Sequence, residues 1–182
     1  MKRLLLFFVV PMLAMAAEHE DLSIFDLQAT WHNQRGEEVV WCELRGRPML
    51  VCMFFSHCGY ACPRITADMQ AIAAVLSEHD RDNISFVMVS FDVERDTPEV
   101  LATYVETKNI DASWQLLHGD EDAVQELAAA LGVRYRREPD GNFAHSNLIL
   151  LLDAQGRIVH RHEGLNGDLI PITSAAGALV AE

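Results

Sequence analysis

The 182 residues are half apolar and 23% charged, enough to bury one core without covalent staples, so the four cysteines are not needed to hold a fold together. Acidic residues outnumber basic ones 27 to 14, a formal net charge of −13. A surface of that sign repels polyanions, which excludes nucleic acid and anionic lipid as partners and leaves cations and basic or weakly charged proteins.

Lys2 and Arg3 precede an apolar run over residues 4–10, and Ala14-Met15-Ala16 supplies the small-x-small pattern of a signal peptidase site. Residues 1–17 therefore read as a cleavable secretory signal, followed by a single domain over 18–182. The apolar run before Pro11, seven residues, falls short of the roughly twenty that cross a bilayer, so no stable membrane insertion is expected. Cleavage removes two basic residues and leaves 12 against 27 acids, a net charge near −15. The mature protein is expected to be exported, soluble and periplasmic. In such an oxidising compartment neighbouring cysteines pair by default unless a reductant or a metal intervenes.

Residues 22–27 alternate in part, and Asn33-Gln34-Arg35-Gly36 is a turn before 37–41, so a small antiparallel β segment is expected first. The turn 45–48 leads into 49–55, a continuous apolar run of the kind found in a central strand covered on both faces. It stops just before Cys58 and Cys62. Paired thiols thus fall at the carboxyl end of a central strand, where open α/β sheets leave a crevice for ligands. Ile65, Met69, Ile72, Ala73 and Leu76 then recur on one face of a helix lasting to about His79.

Residues 84–91 form a second buried run. Thr97 is a good N-cap with Pro98 at the first helical position, opening a helix through Tyr104 and Val105. This βαβα order implies a right-handed crossover and a parallel pair. A shorter strand over 114–118 precedes a helix lined by Val124, Leu127, Ala128 and Leu131 and stopped by Gly132. Strands over 133–137, 147–152 and 157–160, joined by turns at 138–141 and 153–156, read as an antiparallel meander, and a helix over 168–179 closes the chain. The sum is an α/β, thioredoxin-like fold: a central mixed sheet flanked by helices, with an N-terminal β extension and an inserted αβ unit.

Three residues separate Cys58 from Cys62, one more than in a thioredoxin motif. On a helical turn their Cβ atoms would lie roughly 5–6 Å apart on one face. A disulfide wants roughly 3.5–4.5 Å, so bridging needs local rearrangement, whereas two thiolates converging on a soft metal ion do not. The spacing is compatible with both. A helix N-terminus at this point favours the thiolate form of both cysteines. Cys42 and Cys52 flank the 45–48 turn, either as a second disulfide or as core thiols. His160 and His162 share one face of a strand and could serve a second metal, although a third ligand is not evident.

Three segments occur in order: Phe55-Ser56-His57-Cys58-Gly59-Tyr60-Ala61-Cys62-Pro63, then Phe91-Asp92-Val93-Glu94-Arg95-Asp96-Thr97-Pro98-Glu99, then Asn142-Phe143-Ala144-His145-Ser146 before an apolar strand. With these motifs the chain, from about Phe25 onward, resembles the Sco/SenC family, copper-binding thioredoxin-like proteins used in assembling the dinuclear copper centre of cytochrome oxidase. The resemblance implies Cys58, Cys62 and His145 as copper ligands, with Cys58 and Cys62 doubling as a redox-active pair. The cargo would be Cu(I), with Cu(II) left open. The partners would be a copper-accepting oxidase subunit or other cuproprotein, and a thioredoxin-like reductant. The residue chemistry agrees, since two thiolates and one imidazole suit soft Cu(I) and so few ligands leave an open side for exchange.

Thioredoxins carry a cis-proline facing the cysteines, whereas this stretch has no proline and His145 stands just before strand 147–152. Asp92 and Arg95 are expected near the same crevice, as supports of the ligands or partner-docking groups, or simply as a turn and helix-cap network. The main reading is thus a metallochaperone. The enzymatic rival is a thiol–disulfide oxidoreductase acting on a copper-accepting protein, which would need Cys58 and Cys62 but not His145. A thiol peroxidase would need a Thr-x-x-Cys that the chain lacks, and a passive copper buffer or sensor would differ from a chaperone only in having no docking partner.

Overall fold

Residues Met49–Phe54 form strand β3, and all six are buried, which is why the segment shows no alternation. The computed structural model describes residues 23–181, so the signal peptide expected over 1–17 lies outside the described residues. β3 pairs in parallel with β4 (Ser85–Ser90) on one side and antiparallel with β8 (Leu148–Leu152) on the other. Beyond β4 comes β5 (Gln115–His118), parallel to it, and then the antiparallel hairpin of β1 (Thr30–Asn33) and β2 (Glu38–Val40). β9 (Ile158–Glu163) closes the other edge of a seven-stranded mixed sheet in the order β2-β1-β5-β4-β3-β8-β9.

Helix α1 (Ala61–Val75) follows β3, and α3 (Pro98–Lys108) follows β4. The two lie side by side, with Thr66 Oγ1 and the Tyr104 hydroxyl 2.9 Å apart, and α5 (Ile170–Val180) also packs against α1. Arg161 and His162 are consecutive on β9 and so face opposite sides of the sheet. Arg161 donates to the Leu131 carbonyl at the end of α4 (Glu121–Leu131), while buried His162 sits against Gly167 just before α5. α4 therefore covers the face opposite the other long helices. This is the thioredoxin-like arrangement.

The details differ from the pattern reading in four places. Residues 24–26 are a 3-10 turn, not a strand, because Ser23 caps it and Ile24 donates to the Gly156 carbonyl, docking the segment on the β8–β9 turn. The first helix ends at Val75; Ser77 accepts from the Asp80 amide and starts a short α2 (Glu78–Asp82). Thr97 stands at the N-cap of α3, but its hydroxyl bonds Glu99 instead of capping the backbone. The expected meander is also split. β6 (Tyr135–Arg137) pairs with β7 (Phe143–His145) in a separate two-stranded sheet, and only β8 and β9 join the main one.

Candidate metal centre

Beyond the carboxyl end of β3 the chain makes a turn in which the Cys58 amide donates to the Phe55 carbonyl, and α1 begins at Ala61. Cys58 therefore precedes the helix and Cys62 lies in its first turn, so the pair is not on one face of a helix as the spacing suggested. The consequence is chemical. The free amides of the helix start point back at Cys58, and the Cys62 N–H donates to its sulfur at 3.3 Å. Half-burial pushes the Cys58 thiol up, but the amides of Cys62, Tyr60 and Ala61 outweigh it and hold the group below its ordinary value.

Cys62 behaves in the opposite way, correcting the expectation that both thiols are favoured as thiolates. It is fully buried, and burial drives its thiol well above the ordinary range although the Phe55 amide donates to the sulfur at 3.3 Å. A metal ion taken up here would displace the Cys62 proton on binding.

His145, expected in a loop, ends β7, which lays its ring over the thiols. Its Nε2 is 3.8 Å from the Cys62 sulfur, and a ligand atom from each of Cys58, Cys62 and His145 lies within 4.8 Å of the others. Its Nδ1 is 3.1 Å from the Ser146 carbonyl, which can only accept, so that nitrogen carries the proton and Nε2 presents a lone pair to the sulfurs. The rings of Phe91 and Phe55, with centroids 5.1 and 6.0 Å away, bury the imidazole. Burial lowers its pKa, opposed in part by the Ser146 carbonyl. The three groups thus fit a soft cation: two sulfurs and one neutral nitrogen converge, and no carboxylate is among them.

That lowered pKa has a consequence for the metal-free protein. The unfolded chain takes up a proton at this histidine near pH 6.5, while the folded one resists until a lower pH. The unfolded state binds more protons in that window, so stability falls as pH drops below about 6.5 and levels off beneath the folded pKa. The expected result is a melting temperature that declines from pH 7 to pH 5, with a shallower decline in His145→Ala.

His57, Asp92 and Asp96 also bring ligand-type atoms within 4.8 Å, but both carboxylates are already committed. Asp96 is fully buried and accepts from the Ser56 amide at 2.8 Å, the Ser90 hydroxyl at 2.6 Å and the Ser56 hydroxyl. Asp92, 1% exposed, pairs with the Arg95 side chain. The turn and cap network is therefore real, and Asp96, which sequence reasoning did not single out, is its buried centre; its signal was its place four residues after Asp92 at the start of a helix. Cys42 is exposed on a 3-10 turn while Cys52 is buried in β3, and all four cysteines are free thiols. Among the described residues His160 and His162 gather no third ligand.

Comparison with known proteins bears on the family and the fold. The family model described as SCO1/SenC matches residues 21–175. A SCO2-like protein of Rickettsia typhi is 29% identical over 133 residues, 70% of this chain and 64% of the relative, so the chain spans less than two thirds of that relative's length. Among solved structures, a SCO1/SenC family lipoprotein from Bacillus anthracis superposes with a TM-score of 0.76 at 23% identity, covering 84% of this chain and 92% of the other. Arabidopsis thaliana ScoI, solved with copper bound, gives 0.70 at 21% identity, over 84% and 96%.

Proposed function

We propose a function from the premise that the chain belongs to the SCO1/SenC family: it carries one Cu(I) ion on Cys58, Cys62 and His145 and delivers it, or reducing equivalents, to a copper-accepting protein. The observation that carries this reading is the convergence of two sulfurs and an imidazole nitrogen within 4.8 Å. Soft thiolates select Cu(I), and three ligands leave a side from which an acceptor's own ligands can take the ion. The copper in the Arabidopsis neighbour supports the same choice of cargo. The acceptor is an oxidase subunit whose dinuclear copper centre is being assembled, and the protein works after export, in the periplasm. No helix among the described residues is long and apolar enough to cross a membrane.

One observation favours the oxidoreductase reading as second choice. Cys58 is half-exposed with a lowered pKa and Cys62 is buried behind it, which suits an attacking thiol and a resolving one. His145→Ala separates the two functions. Under the copper reading it weakens Cu(I) binding by roughly tenfold or more, judged by what loss of even a ligand's supporting group costs. Reduction of a model disulfide should stay within about twofold of the wild type, since no step of thiol exchange uses the imidazole. Unchanged Cu(I) affinity with exchange intact would favour the enzyme.

A further inference from the structure

The β6–β7 hairpin is not part of the main sheet, yet it carries one of the three proposed ligands. Its base is tied where the Ser146 amide donates to the Arg134 carbonyl at 2.8 Å. Its tip reaches toward the turn after β4. There Arg95 forks: its Nε donates to Asp92 Oδ2 and its Nη2 donates to the carbonyl of Gly141, each at 2.5 Å, while its guanidinium carbon lies 6.0 Å from the centre of the Phe143 ring. An exposed pair, Arg137 with Glu94, joins the same two segments but stands in water and contributes little. The Arg95 contact differs because its carboxylate is buried and also accepts the Arg95 amide at 3.3 Å.

The same turn grips the thiol side of the site. Asp96, next to Arg95, accepts the amide and hydroxyl of Ser56, two residues before Cys58. Residues 92–96 thus touch both halves of the centre, one through Asp96 and one through Arg95. We propose that Arg95 is a positioning residue: by joining Asp92 to the Gly141 carbonyl it holds the β6–β7 hairpin in place and so keeps His145 over Cys58 and Cys62. This rests on the copper reading only for its effect on binding; the placement of His145 is a property of the metal-free protein.

Two readouts test it, using Arg95→Ala and the paired change Asp92→Asn with Arg95→Met, which leaves no bare buried carboxylate. In the metal-free, reduced protein, proton contacts between the His145 ring and the rings of Phe55 and Phe91 should be lost in both variants, while contacts between β3 and β4 persist. Cu(I) affinity should fall roughly tenfold, the X-ray absorption signature of the nitrogen ligand should weaken while the sulfur shell stays, and adding Arg95→Ala to His145→Ala should change affinity by less than about twofold. Retention of the ring contacts in either variant overturns the positioning role, as does an Arg95→Ala effect that persists in full without His145. Loss of the ring contacts together with a His145→Ala affinity equal to wild type would uphold the positioning role and overturn the copper reading instead.

Discussion

Titrated with Cu(I) under a competing chelator, the reduced protein is expected to take up one equivalent, and neither Cys58→Ser nor Cys62→Ser is expected to hold it. A serine hydroxyl is hard and stays protonated at neutral pH, so each change leaves one sulfur and one imidazole for an ion that binds best to thiolates. The loss should exceed roughly 100-fold, above the range seen when only a ligand's support is removed. Cys42→Ser should bind as the wild type does, because that thiol is exposed on the turn after β2 and belongs to no cluster of three ligand-type residues among the described residues. Zn(II) should bind more weakly than Cu(I), since three ligands leave its tetrahedral shell incomplete. Tight binding that survives Cys58→Ser, or vanishes in Cys42→Ser, would assign the wrong thiols.

The scaffold behind these thiols was readable because β3 and β4 are covered on both faces, so apolar residues follow one another without alternation over 49–54 and 86–89. The left-handed Gly132 at the end of α4 was equally legible, having a backbone of φ +69° that the residue type alone supplies at little cost. The failures share a cause. Residues 24–26 alternate like a strand, but the Ile24 amide donates to the Gly156 carbonyl in the β8–β9 turn, and Gly156 must be a glycine there because a Cβ would lie 2.6 Å from the Phe25 ring. No local pattern reports such a long-range contact.

At the site, the two sulfurs and the histidine were named from the sequence, while their electrostatics were not. Spacing put both cysteines at a helix start and so favoured both thiolates, yet one faces the helix amides from outside and the other is sealed beneath them. The difference is burial, a tertiary quantity. Likewise Arg136 and Arg137 between two turns looked like one strand of a meander, and only the separate pairing of Arg137 with Phe143 shows that His145 rides on its own hairpin.

Oxidation should empty the site. Joining Cys58 to Cys62 releases two protons and two electrons to an acceptor disulfide and removes both thiolates, leaving His145 as a lone imidazole with no reason to retain Cu(I). The structure makes that closure feasible: the sulfurs already lie within 4.8 Å, and Cys58 sits in a turn beside Gly59, around which a Cβ would meet nothing within 4 Å. Cys62, buried in α1, is the fixed partner, so Cys58 makes the movement. Its partial exposure also leaves the bridge open to attack by a reductant's thiolate, as a labile disulfide must be. Loading in an oxidising compartment would then depend on a thioredoxin-like reductant acting first. Parallel Cu(I) titrations of the oxidised and reduced forms, with the reduction potential of the pair, decide the matter. The oxidised form should bind no Cu(I) against the chelator, and the potential should lie above about −300 mV; equal affinity in the two forms, or a potential below that value, would mean an inert bridge and a cargo held elsewhere.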